Sequence, residues 1–437
     1  MSSENWSEVT LGEVADLQTG FPFKSKDYAS DKGTRLIRGD NVVQGALRWK
    51  NVKLWPKVDM KIHGDYFLKK DDIVLAMDRP WIAAGLKYSS IREKDTPSLL
   101  VQRVARLRGN KFARTKYLSY IIGSRLFTNH VLAIQTGTAV PHISATQIKS
   151  FKFKLPGLNT QISIAKVLGD LDDKIEVLRE MNRTLENIAQ AMFKAWFVDI
   201  KPIHAKVAGA TSFKGMPQAL FDTLPKSIEE SELGDIPTGW TIKPLDEVAE
   251  FLNGLALQKH RPKEGEDFLP VIKITELRKG ITPKSEQASP SIPEKYKIVD
   301  GDFLFSWSGS LLAKFWTDGD GALNQHLFKV TSEAYPIWFV ASWVWHHLEQ
   351  FQRIAAAKAT TMGHIKRSHL SDAKVIVPNP KQLEMMTHSI QPFFQKQISN
   401  SLEINSLVSL RDTLLPKLIS GELEAPSLVT LGLESVS

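Results

Sequence analysis

Trp6-Ser7-Glu8-Val9-Thr10-Leu11-Gly12-Glu13-Val14-Ala15 returns 234 residues later as Trp240-Thr241-Ile242-Lys243-Pro244-Leu245-Asp246-Glu247-Val248-Ala249. Trp6, Leu11, Glu13, Val14, Ala15 and Gly20 recur at that offset as Trp240, Leu245, Glu247, Val248, Ala249 and Gly254. That is six identities in 15 positions, where average composition gives about one. The echo continues. Ile37-Arg38 and Gly45 match Ile272-Lys273 and Gly280, Asp72-Ile73-Val74 matches Asp302-Phe303-Leu304, and Gln102 matches Gln325. Thr138, His142-Ile143, Pro156 and Gln161 match Thr360, His364-Ile365, Pro378 and Gln382. The offset drifts from 235 to 221, which places small insertions in surface loops, where they are tolerated. A period this long is a duplicated domain, not a solenoid.

The 437 residues allow two to four domains, and 42% hydrophobic content with 11 Trp supplies their cores. Lys and Arg outnumber Asp and Glu by 56 to 48, a net charge of +8, which favours a polyanionic partner. The absence of cysteine excludes disulfides and thiolate metal sites and fits a reducing compartment. Met1-Ser2-Ser3-Glu4-Asn5-Trp6 has neither the basic nor the apolar region of a secretory signal. The most apolar window, Pro336 to Trp345, stops at His346-His347. It is too short to cross a bilayer and reads as a buried helix matching Tyr117–Ile122. The expectation is a cytoplasmic, soluble protein with no membrane partner.

Short strands are expected at Arg35–Ile37, Ile73–Ala76, Val101–Leu107 and the alternating Phe151–Leu155, with Val375–Pro378 closing the second copy. Lys116–Leu132 is patterned as helix. Then the period changes. Leu168, Leu171, Ile175, Leu178, Asn182, Leu185, Ala189, Met192 and Trp196 alternate spacings of three and four, a heptad seam. Its counterpart is Phe394, Ile398, Ser401, Asn405, Val408, Asp412, Leu415 and Ile419, interrupted at Ser401 and Asp412. Asn182 and Asn405 fall at matching a positions, where a buried Asn fixes register at a cost in stability. The expected fold is α+β: two similar mixed α/β domains separated by two long antiparallel helices, pseudo-two-fold and quasi-cyclic. The segments are a first globular domain at 1–157, a central helix at 158–199 and a linker at 200–238. A second domain at 239–379, a C-terminal helix at 380–421 and a tail at 422–437 follow.

Catalytic signatures are missing. There is no G-x-x-x-x-G-K-[ST] loop, no G-x-G-x-x-G, no H-E-x-x-H and no G-x-S-x-G. Pro378-Asn379-Pro380 is not the Asn/Asp-Pro-Pro-aromatic motif of amino-methyltransferases, and His346-His347 lacks metal-ligand spacing. What remains are polar, basic and aromatic residues in the loops after matched elements. The first copy offers Lys24, Lys26, Arg38, Arg79, Trp81, Gln102, Arg103, His142 and Gln147. The second offers Gln258, Lys259, Arg261, Lys273, Ser308, Ser310, Gln325, His326, His364, Lys366 and Arg367. Arg and Lys suit guanine, Gln suits adenine, and all reach phosphate. A duplicated scaffold with differing loops would read two different short sequences on duplex DNA, which itself has two-fold character.

Further stretches carry a family resemblance. Pro156 is followed by Gln161, which opens the first helix, and Ala195-Trp196-Phe197-Val198-Asp199 ends it. Glu230-Ser231-Glu232-Leu233-Gly234-Asp235-Ile236-Pro237-Thr238-Gly239-Trp240 leads into the second domain, and Leu414-Leu415-Pro416-Lys417-Leu418-Ile419-Ser420-Gly421-Glu422-Leu423 closes the last helix. With these motifs the chain resembles the specificity subunits of type I restriction–modification systems. Asn5-Trp6 lacks the Ile-Pro-x-Gly that precedes Trp240.

The resemblance implies a non-catalytic subunit whose two domains each read half of a split, asymmetric DNA target. Its helices would dock two methyltransferase subunits that use S-adenosylmethionine to methylate adenine. Restriction/translocase subunits would complete the enzyme, with S-adenosylmethionine, ATP and magnesium held by the partners and no cofactor or metal held by this chain. The alternatives are a stand-alone two-headed DNA-binding regulator and an enzyme with an unrecognised site.

Overall fold

A computed structural model of the chain describes residues 6–137, 140–357 and 363–433; the matched Thr138 and Thr360 lie outside them. Two compact units emerge. The first joins residues 1–174 to 407–437, and the second comprises 175–406. Two long helices, α1 (Leu158–Phe193) and α2 (Pro380–Ser420), each give residues to both.

In the first unit, Ser7–Thr10 pairs antiparallel with Lys152–Leu155, so the start of the domain is tied to its end. Ala15–Thr19, Val104–Gly109, Ile73–Ala76 and Tyr88–Ser90 form a four-stranded sheet in that order. A second sheet places Thr34–Ile37 between Lys53–Trp55 and a parallel Ser98–Leu100. The expected helix at 116–132 is two helices, Thr115–Gly123 and Arg125–Ile134. Ser124 breaks them apart because its hydroxyl accepts from the Phe127 N–H and caps the second. Leu11, Val14, Tyr117, Ile121, Phe127 and Ile148 fill the core, and Leu418 and Ile419 from the end of α2 lie in the same cluster.

The second unit repeats the plan. Thr241–Pro244 pairs antiparallel with Lys374–Val377, and Glu250–Asn253, Leu327–Thr331, Phe303–Ser306 and Ala313–Phe315 form the four-stranded sheet. A second sheet again contains one parallel pair, Leu269–Ile272 with Gly321–Leu323. The apolar window forms the helix Ile337–Ala357, buried through Trp338, Phe339 and Trp343. No helix among the described residues is long and apolar enough to cross a membrane. Residues 200–238, expected as a linker, are folded. Ile203, Leu220, Phe221, Leu224 and Ile236 join the cluster around Trp240.

The two repeated glutamines explain why they recur. Gln161, fully buried, donates to the Pro156 carbonyl at 2.8 Å and accepts from the Arg114 N–H at 2.9 Å. Gln382 accepts from Trp240 Nε1 at 2.8 Å and donates to the Thr223 carbonyl at 2.6 Å. Each ties the first turn of a long helix to its unit, and a buried amide left unpaired there would be costly.

The seam of α1 is as its periodicity predicts. Leu168, Ile175, Leu178, Ala189 and Trp196 are buried, and Leu171, Asn182, Leu185 and Met192 are partly so. The helix closes through a π turn, Lys194–Val198, in which successive residues Trp196 and Phe197 are both buried. On α2 the expected register fails. Asn182 donates to the Gln397 carbonyl at 3.2 Å and to Ser401 Oγ at 3.1 Å, and accepts from Asn400 Nδ2 at 2.8 Å. Asn400 is completely buried.

Asn405 is exposed and donates to the Thr317 carbonyl at 2.6 Å and to Asp318 at 3.1 Å, so it is not the partner of Asn182. It lies about 100° around the helix from Ile404, off the face set by Gln397, Asn400 and Ser401. Asp412 is likewise exposed, while Ile398, Val408 and Leu415 are half-buried. In the first unit Arg411 pairs with Asp172 at 2.9 Å, and Tyr120 donates to the same carboxylate at 2.9 Å. Burial and Asp172 push the Tyr120 hydroxyl far above the usual tyrosine range, so it stays a donor. Within this unit Leu168, one turn before Asp172, shares a cluster with Leu418 and Ile419, two turns beyond Arg411, an antiparallel pairing.

Candidate nucleic-acid interface

The first unit gathers most of its sequence-predicted cations around one cleft. After Gly20 the chain runs past Phe21-Pro22-Phe23 into a one-turn helix, Ser25–Asp27, which brings Lys24 and Lys26 to the rim. The strand Ile73–Ala76 ends at Met77-Asp78-Arg79, and a tight turn at Val101–Val104 carries Gln102 and Arg103. These segments enclose about 810 Å³, lined by Lys24, Lys26, Arg38, Arg79, Lys87, Gln102 and Arg103 together with Asp40 and Asp78. Arg79 and Arg103 both sit in the left-handed backbone region, with φ of 45° and 68°. Non-glycine residues there store roughly 1–3 kcal/mol each, a cost found where a site over-determines the backbone.

Asp78 organises the floor. Its carboxylate lies 2.6 Å from His142 Nδ1 and 3.8 Å from Arg103 Nε. The backbone fixes His142 there, because the Ile143 N–H donates to the Met77 carbonyl at 3.0 Å and the Arg79 N–H to the Pro141 carbonyl at 2.6 Å. Lys87 has no motif to announce it. It reaches the cleft from beside the Tyr88–Ser90 strand, and burial pushes its ammonium below the ordinary lysine range. Arg48 and Arg79 add to the fall, against Asp40 and Asp78. A phosphate in the cleft would favour the charged form and oppose that fall.

The second unit builds the same arrangement from different side chains. Ser306 ends its strand, and the Ile365 N–H donates to the Trp307 carbonyl at 2.9 Å, which places His364 beside Ser308. His326 Nδ1 lies 3.1 Å from Ser308 Oγ, and Trp307 stands 5.7 Å from the His326 ring and 6.4 Å from that of His364. Gln325 Nε2 is 3.4 Å from His326 Nε2. Away from this cluster, Lys273 and Arg261 both bind Glu286, at 2.8 and 3.1 Å, and Lys273 holds that carboxyl below its usual range.

Some candidates are used elsewhere. Gln147 closes a capping box with Ser144 and donates to the Ile134 carbonyl at 2.8 Å, so its amide is spent on helix capping. Ser308 is buried beneath His326. Arg367 donates to the Phe251 carbonyl at 3.1 Å and lies over the Phe328 ring, a packing role. Ser310 accepts from Arg278. Trp81 is exposed on the hairpin Trp81–Ile82/Gly85–Leu86, outside the cleft lining. Gln258, Lys259 and Lys366 are exposed. Among the described residues no group of three or more His, Asp and Glu is arranged to hold a metal ion.

Two units of one topology, each presenting a turn, a strand end and a histidine with different chemistry, define a double-headed recognition scaffold. The family model described as the type I restriction modification DNA specificity domain matches residues 3–187 and 237–406, and the chain belongs to that family of specificity subunits. It is 26% identical to the type I restriction enzyme MjaIX specificity subunit of Methanocaldococcus jannaschii, over 72% of this chain and 70% of that protein. It is 24% identical to the HindI specificity subunit of Haemophilus influenzae, over 96% of this chain and all of that one. The crystal structure of a type I restriction–modification S subunit from M. genitalium has the same fold, with a TM-score of 0.56. The match covers 95% of this chain and 96% of that one at 15% identity. A stand-alone regulator finds no support in these matches.

Proposed function

We propose that this chain reads a split DNA target, one half per unit, for a type I restriction–modification enzyme whose chemistry lies on other subunits. One observation carries the reading: the same turn, strand end and histidine are built twice on one topology, with Asp78, Arg103 and His142 in one copy and Ser308, His326 and His364 in the other. A common scaffold with differing polar ends suits two different half-sites. The cations of the first cleft supply sequence-independent attraction, and the turn side chains supply discrimination. S-adenosylmethionine, ATP and magnesium belong to the partner subunits, and the reaction they serve is methylation of adenine in the cytoplasm.

Selection from a randomised duplex library by the assembled enzyme, at two salt concentrations, tests this. A split motif is expected, with non-specific binding falling as salt rises. Enrichment of no motif at either salt would defeat the reading.

Two methyltransferase subunits are proposed to dock on the long helices. Val177, Met181 and Ile188 of α1 are 54%, 38% and 40% exposed, at i, i+4 and i+11, one apolar face turned away from the seam. Val177→Asp with Met181→Asp is expected to weaken co-purification of the methyltransferase at least tenfold while leaving the melting temperature of the isolated chain unchanged. Undiminished co-purification would move the docking surface elsewhere.

A further inference from the structure

The two units share more than a topology at the cleft turn. Gly20 follows the edge strand Ala15–Thr19, and a Cβ there would lie 2.2 Å from the Val101 carbonyl. Gly254 follows Glu250–Asn253, and its Cβ would lie 2.3 Å from the Asn324 carbonyl oxygen. Only glycine lets the two backbones come this close. The next residue then grips the turn from both sides. The Phe21 N–H donates to the Leu100 carbonyl at 3.0 Å, and its carbonyl accepts the Gln102 N–H at 2.9 Å. The Leu255 N–H donates to Leu323 at 2.9 Å, and its carbonyl accepts the Gln325 N–H at 3.0 Å. Val104 N–H to Val101 O, 3.1 Å, closes the first turn, and Leu327 N–H to Asn324 O, 2.9 Å, closes the second.

Within the turn that this clamp holds, the buried Leu100 and Leu323 are identical and the exposed composition varies except at one place. Val101 is replaced by Asn324 and Arg103 by His326 in the second copy, while Gln102 and Gln325 are identical. The Gln102 amide makes no side-chain hydrogen bond among the described residues and is exposed on the cleft wall. Gln325 is half-exposed, and its amide lies 3.4 Å from the His326 ring. Among the described residues neither amide bonds the backbone of its own turn, so the turn does not require glutamine there. A neutral amide is also a poor choice for attracting phosphate in a cleft rich in Lys and Arg. It does carry one donor and one acceptor side by side, the complement of adenine N6 and N7 in the major groove.

We propose that Gln102 and Gln325 are equivalent base-reading side chains, each contacting one adenine of its own half-site, Nε2 donating to N7 and Oε1 accepting from the N6 amine. The repeated glycine and the repeated glutamine form one device: the glycine permits the clamp, and the clamp aims the amide. Arg103 and His326, one residue on, differ and read or grip whatever differs between the halves. The inference rests on the function proposed above.

The test uses the chain assembled with its methyltransferase subunits and a randomised duplex library, comparing wild type with Gln102→Ala and Gln325→Ala. Each variant should lose its preference at a single A·T pair, Gln102→Ala in one half-site and Gln325→Ala in the other. Cognate affinity should fall about tenfold to a hundredfold, with the salt dependence unchanged. Gln102→Glu, which keeps the shape but turns the donor into an acceptor, should lose adenine at the same position. Three outcomes would overturn the proposal: an unchanged motif, relaxation at a G·C pair, or uniform weakening on all sequences with the salt slope reduced by about one, the mark of a phosphate contact. A wild-type assembly that selects no split motif would instead overturn the functional reading itself.

Discussion

Gly20→Ala is expected to erase recognition of one half-site while the other is still read, and Gly254→Ala to do the reverse. The added Cβ meets backbone in both cases, at 2.2 Å from Val101 and 2.3 Å from Asn324, so no flexible side chain can move aside. The opposing strands cannot easily yield, because Leu100, Leu323 and Val104 are completely buried. Overpacking of this kind costs about 1–3 kcal/mol, and contact with backbone places these sites at the upper end. For a unit of this size about 3 kcal/mol lowers the melting temperature by roughly 6–12 °C. The turn is the element displaced, so binding should suffer beyond what stability explains. Gly157→Ala is the control, since a Cβ there meets nothing within 4 Å, and it should change neither melting nor binding. Melting curves with library selection on the three variants check this; a Gly20→Ala protein with unaltered melting and motif would contradict the clamp.

The second large effect separates stability from binding. Lys24, Arg79 and Arg103 line the first cleft, and two of them hold left-handed backbone conformations. In the combination Lys24→Ala, Arg79→Gly and Arg103→Gly, three cations disappear while glycine accepts the positive φ without strain. Melting temperature should hold or rise. At about 0.1 M salt each phosphate contact contributes roughly eightfold to affinity, so binding to random duplexes should drop by about 500-fold, and binding to cognate duplexes by at least as much because Arg103 also lies on the discriminating turn. The slope of log affinity against log salt should shrink by about three. A titration by fluorescence anisotropy at several salt concentrations measures both. If affinity holds, the cleft is not where DNA lies; if melting collapses, the left-handed arginines are structural.

The duplication was legible because the matched residues do backbone work. Leu11 and Leu245 are core residues, each with its N–H tied to the matching closing segment, at Phe151 and Ala373. The seam of α1 was legible because Asn182 alone interrupts its apolar positions. That of α2 was not. Its true polar contact, Asn400, sits beside Ser401, and nothing local says which of Asn400 and Asn405 turns inward. The cations of the first unit share one cleft because strand ends converge on one sheet edge, which brings the loops after matched strands together. Lys87 escaped because a lone lysine beside a short strand has no signature. Gln147, Ser308 and Arg367 have partners within the fold that the sequence does not show: Ile134, His326 and Phe251 are brought to them by tertiary contacts that spacing does not encode.

The core of the first unit contains Leu418 and Ile419, which leave the ribosome some four hundred residues after Leu11 does. The half of the protein made first is therefore the half that finishes folding last. It must wait, with an apolar groove open, until the second unit has been synthesised and the end of the final helix arrives to close it.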